Sequence, residues 1–255
     1  MEPLGRHDLV PGVVIEAKGL AKAFNGRRVL DDVDLLMRRC EVISILGGSG
    51  AGKSTLLKLI AGLSKPDRGR LVLFGRDIVP LEEQELIPIR KRMGMVFQGA
   101  ALFDSLTIGQ NVAFPLKEHT RLGKAEIRER VAEVLAKVGL PGIEGSYPHE
   151  LSGGMRKRVG IARALVLQPE VVLFDEPTAG LDPTNAKMIC ELIAALRRDI
   201  CETSVVVTHD LPCAFMISDQ VALLHRGRIV EMASPRELQR SSHEEVRAFL
   251  AGALR

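Results

Sequence analysis

The run EVISILGGSGAGKSTLLKLIAGL, residues 41–63, decides the fold. Glu41–Leu46 is a short, continuous apolar stretch ending in glycines, the pattern of a buried strand. Ser54–Leu63 then reads as a helix. Between them, GGSGAGKS at 47–54 fits the spacing G-x-x-x-x-G-K-S/T in the strand-to-helix context that gives the motif its meaning. The glycines let successive backbone N–H groups turn inward, and the helix N-terminus adds its positive end, so the loop is suited to a polyphosphate. Gly47, Gly48, Ser49, Gly50, Ala51, Gly52, Lys53, Ser54 and Thr55 are therefore the expected nucleotide-binding residues. Lys53 would reach the β- and γ-phosphates of ATP, and Ser54 would offer its hydroxyl to Mg²⁺.

Outward from this unit the chain alternates. Strand-like runs lie at Val13–Phe24, Val29–Met37, 68–77 and Met93–Phe97, with Asn25-Gly26-Arg27-Arg28 as a turn between the first two. VVLF (171–174) and SVVVTH (204–209) are short, apolar and β-branched, as buried parallel strands are. Helices are expected over Pro183–Arg198 and Leu211–Ser218, and a hairpin over 221–233. From Leu106 to about Leu167 the pattern is mostly helical; within it, Ala125–Val138 sets Ile127, Val131, Val134, Leu135 and Val138 on one face. Strands alternating with helices imply an α/β fold with a parallel sheet, interrupted by a helical insertion at roughly 100–160.

Composition excludes several classes. The 255 residues are enough to bury a sizeable core, and 46% hydrophobic with 26% charged residues is ordinary for a globular chain. Thirty-five Lys and Arg against 32 Asp and Glu leave +3, too small a field to imply nucleic-acid or membrane-surface binding. Cys40, Cys190, Cys201 and Cys213 form no C-x-x-C pair and no zinc spacing, and are expected to be reduced, partly buried thiols. The N-terminus carries charges and prolines where a signal peptide needs an apolar core, and no stretch approaches the ~18 apolar residues of a spanning helix.

Three further elements carry chemistry. VVLFDE (171–176) ends a strand in two acids: Asp175 would serve Mg²⁺, and Glu176 would orient or deprotonate the water attacking the γ-phosphate. His209 ends another strand at the edge where ligands bind in open α/β sheets, and is expected to contact the γ-phosphate. LSGGM (151–155) opens a helix with Ser152 at the N-cap, followed by Gly153 and Gly154, whose backbones allow close approach of a ligand. The basic runs at 90–92 and 156–158 are read as solvated or phosphate-facing charge, so no nucleic-acid partner is expected.

With LSGGM the chain resembles the nucleotide-binding subunit of an ABC transporter along nearly its whole length, six motifs appearing in the family's order. The resemblance implies an α/β P-loop NTPase fold of the RecA-like kind: a parallel-sheet core, an antiparallel β subdomain and a helical ABC-specific subdomain. It divides the chain into a catalytic core with β subdomain at 13–98 and 160–234, a helical subdomain at 99–159 and a C-terminal helical tail at 235–255, all one ATPase domain. It implies ATP hydrolysis coupled to transport, with Glu176, His209 and Lys53 catalytic and Ser54, Gln98 and Asp175 serving Mg²⁺. Two ATP molecules would be sandwiched in a head-to-tail homodimer, Ser152, Gly153 and Gly154 facing the nucleotide of the other subunit and Asp182, in the AGLDP run, near the interface. Phe24 falls where an aromatic stacks on adenine, although Tyr is commoner there in the family. Gly48 stands where Pro is frequent and Met155 where Gln is commoner.

The segment FQGAALFDSLTIGQNVAFPL (97–116) follows directly on Gln98 and is similar to its counterpart in ATPases of Mla-type and other MCE-associated lipid transporters. That likeness implies phospholipid movement driven from the cytoplasmic face of the inner membrane, a permease dimer as partner, and MCE-domain or accessory subunits beyond it. Gly99, Ala100, Ala101, Phe103 and Phe114 would make the permease contact, an apolar helix-in-groove arrangement. An importer of a small polar solute, such as an amino acid or metal, is the competing reading; a soluble ATPase without a permease is a third, and it lacks the second nucleotide domain or long coiled coil usual in that class. In the tail, Ser242 and Glu245 have capping-box spacing, and Val246, Phe249, Leu250 and Ala253 share a helix face.

Overall fold

A computed structural model describes residues 12–200 and 203–252. The strand at the head of the glycine loop, β3 (Val42–Leu46), is buried at every position, as a strand with neighbours on both sides and helices on both faces must be. It pairs in parallel with β8 (Thr203–Val207) and β9 (Gln220–His225). Further out lie β7 (Val171–Asp175) and β6 (Met93–Val96), and the strand β10 (Arg228–Ala233) turns back antiparallel on β9. The six-stranded order is β10-β9-β3-β8-β7-β6. Because β3, β7 and β8 run in parallel side by side, their carboxyl ends deliver the glycine loop, Asp175-Glu176 and His209 to one edge.

A second, antiparallel sheet has the order β2-β1-β4-β5, from β1 (Val13–Phe24), β2 (Arg27–Arg38), β4 (Arg68–Leu73) and β5 (Arg76–Asp77). Asn25 and Gly26, both at positive φ (50° and 77°), close the β1–β2 hairpin as a two-residue Asn-Gly turn does. The first helix, α1 (Lys53–Ile60), leaves the glycine loop and joins the core shared by both sheets. The helix α2 (Glu83–Arg90) was not expected from the sequence.

The insertion holds α3 (Ile108–His119), α4 (Lys124–Lys137) and α5 (Gly153–Leu165). Val131, Val134, Leu135 and Val138 are buried as the spacing required, in a core shared with α6 (Pro183–Ile200) and α7 (Leu211–Ile217). The chain ends in α8 (Pro235–Leu238) and α9 (Glu244–Leu250). Val246 and Phe249 of α9 pack on Leu46, Ala214 and Leu223, so the tail docks on its own sheet; Ala253 lies outside the described residues.

Two expectations are corrected. The tail's capping box is not at Ser242: α9 has His243 at its N-cap with no side-chain cap, and the reciprocal pair is Ser234 with Glu237, on α8. Nor are Cys190 and Cys213 thiols. Cys190 on α6 and Cys213 on α7 face each other across a buried helix contact, with Cα atoms 5.6 Å apart, and are disulfide-bonded. No free cysteine is found among the described residues, and Cys201 lies outside them.

Candidate nucleotide site

The glycine loop is seated by close backbone contacts. A Cβ on Gly47 would lie 2.3 Å from the Leu224 carbonyl oxygen of β9, and one on Gly52 2.9 Å from that of Val29. Gly52 also sits at φ 106°, a conformation that side chains resist. The loop thus runs over β9 and the start of β2, which wall a cavity of about 630 Å³ lined by Gly48 through Thr55. Arg27, Arg28 and Arg226 rim this cavity. Their contribution was not singled out from sequence; the signal was two arginines directly after the Asn-Gly turn. Phe24, half-exposed, pairs across that turn with Arg27 but does not itself line the cavity, and the Lys22 ammonium lies 5.5 Å from its ring centre.

A second cavity of about 670 Å³ shares the loop and adds Gln98, Glu176 and His209. Lys53 is nearly buried, and its Nζ donates to the carbonyls of Gly47 (2.8 Å) and Gly48 (3.2 Å) while lying 3.7 Å from Glu176 Oε1. The other carboxylate oxygen of Glu176 accepts from His209 Nδ1 at 2.8 Å and from the His209 backbone N–H at 3.2 Å. Lys53 at the start of α1 and His209 just after β8 therefore meet at the carboxylate of Glu176, just after β7. Glu176 is itself at φ 48°, its N–H donating to Val207 of the neighbouring strand at 2.8 Å.

Ser54 Oγ donates to Asp175 Oδ1 at 3.0 Å. A hydroxyl and a carboxylate, both hard oxygen donors and both at the foot of the phosphate loop, are the set a magnesium ion takes, usually with waters completing its shell. The residues fit the ion. Gln98 lines the same cavity, at the end of β6.

The LSGGM residues are elsewhere. Ser152 caps α5, its Oγ accepting from the Met155 N–H at 3.3 Å, and a Cβ on Gly154 would lie 2.7 Å from Asn185 Oδ1. None of Ser152, Gly153 or Gly154 lines either cavity of the glycine loop. Asp182 accepts from the backbone of Thr184 and Asn185 at the head of α6, and the Asn185 side-chain amide holds its carboxyl below the usual range. Of the basic run at 156–158 only Lys157 is buried, donating to the carbonyls of Gln98 and Glu176; exposed Arg156 donates to that of Leu151 and half-buried Arg158 to that of Gly139.

Beyond Gln98 a cavity of about 670 Å³ is lined by Phe97, Ala101, Phe103, Phe114 and Arg163, with Met93 and Met95. The rings of Phe103 and Phe114 are 5.1 Å apart and both partly exposed. Asn111, fully buried, holds this loop: its Oδ1 accepts from the Phe103 N–H at 2.8 Å, and its amide faces the carbonyls of Phe103, Leu106 and Thr107. Gly99 is open, with nothing within 4 Å of a Cβ. Ala100, expected on the groove surface, is instead buried against Gly160.

The sequence profile of the ABC transporter family matches residues 30–179. The chain belongs to that family. It is 46% identical over 94% of its length to a probable ribonucleotide transport ATP-binding protein mkl of Mycobacterium tuberculosis, covering 67% of that protein. It is 39% identical over 94% of its length to the intermembrane phospholipid transport system ATP-binding protein MlaF of Haemophilus influenzae, covering 90% of it. The methionine import ATP-binding protein MetN of Corynebacterium efficiens is 41% identical over 99% of this chain, with 72% of MetN covered. Among solved structures, the dimeric cassette MJ0796 bound to ADP and Pi superposes with TM-score 0.80 at 33% identity, over 87% of this chain and 99% of that one. CbiO1 of Clostridium perfringens, part of a CbiONQ complex, gives 0.83 at 31% identity over 94% and 95%. This cassette is therefore an ATP-hydrolysing, energy-coupling subunit of an ABC transporter, and among the described residues no helix is long and apolar enough to cross a membrane.

Proposed function

We propose that this cassette powers phospholipid movement between membranes in an Mla- or MCE-type system, acting as a homodimer on the cytoplasmic face of the inner membrane beneath a permease dimer. The observation that carries the reading is the wording of 97–116, supported by the apolar groove that this segment builds and by the likeness to MlaF over nearly all of both chains. Gly99, Ala101, Phe103 and Phe114 are the proposed permease contact, an aromatic-rimmed groove suited to a short apolar helix. The whole chain is proposed to be one ATPase domain, with 99–159 as its helical subdomain and 235–255 as its tail.

At each site, the Gly47–Thr55 loop and Lys53 hold the phosphates, and Phe24 stacks on adenine. Ser54 and Asp175, with Gln98, would hold Mg²⁺, which would supply neutralisation of phosphate charge when bound. Glu176 accepts the proton of the attacking water, and His209 steadies the γ-phosphate and the Glu176 carboxylate together. Ser152, Gly153 and Gly154 serve the partner's nucleotide, consistent with their distance from their own phosphate loop, and Asp182 orders the loop at the interface.

Likeness to MetN favours a second reading, an importer of a small polar solute. Tagged chain extracted with its membranes in mild detergent separates the two. Co-purifying permease, MCE-domain protein and phospholipid support the lipid reading, whereas a solute permease with a binding protein overturns the cargo and leaves the site intact.

A further inference from the structure

Helix α5 starts at the LSGGM run and ends packed against the edge strand β6, where a Cβ on Gly94 would lie 2.6 Å from the Ala164 carbonyl oxygen. Lys157, Gly160 and Arg163 follow one another at three-residue spacing along one of its faces. All three meet the segment Gln98–Ala101, just after β6. Lys157 Nζ donates to the Gln98 carbonyl at 2.5 Å, and Arg163 donates to those of Ala100 (2.8 Å) and Ala101 (2.7 Å). Gly160, lacking a side chain, admits Ala100: a Cβ there would stand 3.3 Å from that of Ala100. Ala100 and Ala101 are both left-handed (φ 60° and 50°), an unfavourable backbone for a residue with a Cβ, so external bonds must hold them.

Lys157 makes one more bond, to the Glu176 carbonyl at 3.2 Å. Glu176 too is left-handed, at φ 48°. Lys157 is only 6% exposed, and burial pulls its pKa down while Glu176 and Asp175 oppose that. Burying a charge against two neutral carbonyls is costly compared with an apolar chain of the same length. What the charge provides is a further link between two backbones that leave the neighbouring strands β6 and β7 just past their last pair with one another, Val96 and Phe174: the loop whose far side forms the apolar groove, and the strand end that aims the Glu176 carboxylate.

We propose that Lys157 is a positioning residue for hydrolysis, its ammonium tying the Gln98 backbone to the Glu176 backbone so that displacement of the groove loop re-aims the attacking water's base. This rests on the reading of Glu176 as that base. The phosphate loop is anchored separately, on Leu224 and Val29, so loss of the tie affects turnover and spares nucleotide affinity.

The test uses the full-length chain carrying K157M, K157R or E176Q, with steady-state hydrolysis, titration of a fluorescent ATP analogue and thermal melting. K157M should bind the analogue within about threefold of wild type while kcat falls at least about tenfold, and K157R should restore kcat to within about threefold. Where K157M does not fold, K157L, which likewise lacks a donor, takes its place under the same criteria. Lys157 loses the role if kcat stays within about twofold, or if affinity and kcat fall together in both substitutions. Wild-type turnover in E176Q would instead remove Glu176 as the base, whereas a silent E176Q beside a fully active K157M would overturn the tie alone.

Discussion

Gly47→Ala and Gly50→Ala are one methyl group each, three residues apart in the same loop, and the structure separates their effects. At Gly47 the added Cβ would sit 2.3 Å from the Leu224 carbonyl oxygen and 3.2 Å from the Ala51 Cβ. Leu224 is fully buried on β9, between β3 and β10, and cannot yield without disturbing the sheet. To reach even a 3.0 Å contact the phosphate loop must therefore retreat by about 0.7 Å. Overpacking of this kind costs about 1–3 kcal/mol, or about 3–10 °C in melting temperature for a chain of this size. A misplacement approaching an ångström at the reacting centre is worth up to about a hundredfold in rate. Gly50 is at φ 77° with nothing within 4 Å of a Cβ, so its substitution meets only the left-handed penalty of about 1–2 kcal/mol. Thermal melts, ATP-analogue titration and steady-state hydrolysis on both variants should show G47A losing about 30- to 100-fold in kcat/KM and G50A less than about tenfold. Equal kinetics in the two, or G50A the worse, would refute the seating of the loop on β9.

Ser54→Ala removes the hydroxyl beside Asp175 and should raise the Mg²⁺ needed for half-maximal hydrolysis at least about tenfold, read from a Mg²⁺ titration at saturating ATP. The double substitution F103A/F114A should leave basal hydrolysis within about twofold and abolish co-purification of membrane protein, because these rings face the groove and not the nucleotide. Glu170 is held below the usual carboxylate range, first by its hydrogen bond to Arg92 and also by that to Arg39, with burial opposing. A depressed carboxylate stabilises fully above its ordinary value near 4.5 and loses that contribution as pH falls through the lower folded value, so the melting-temperature gap between wild type and E170Q should narrow from pH 7 towards pH 3.

What was legible in the sequence was whatever local chemistry fixes. VISIL and VVLF could only be buried strands, and the glycine spacing, the paired acids and His209 arrived together because parallel strands end on one side. The strand order itself was not legible, since the central strand β3 finds both its partners, β8 and β9, more than 150 residues further along the chain. Helix α2 escaped notice because it is Glu-rich, holds Pro88 and buries only Leu86 and Ile89, so it shows little apolar periodicity. Ala100 was placed on the groove because its neighbours are small and apolar; only the approach of Gly160 reveals that it faces inward. The same holds for Lys157, which looks like part of a solvated basic run until its two carbonyl partners are seen. In the tail, Ser242 and Glu245 have capping-box spacing, yet α9 starts only after His243 and the reciprocal pair forms at Ser234 and Glu237.

The central claim is that each hydrolysis site is shared between two copies, with Glu176 from one and Ser152-Gly153-Gly154 from the other. Light scattering on E176Q with MgATP tests it most directly. The account predicts a mass near 27.8 kDa without nucleotide, doubling with MgATP, no release of phosphate, and return to the single-chain mass when Gly153→Trp is added. A single-chain mass at saturating MgATP, or a doubled mass indifferent to Gly153→Trp, would contradict it.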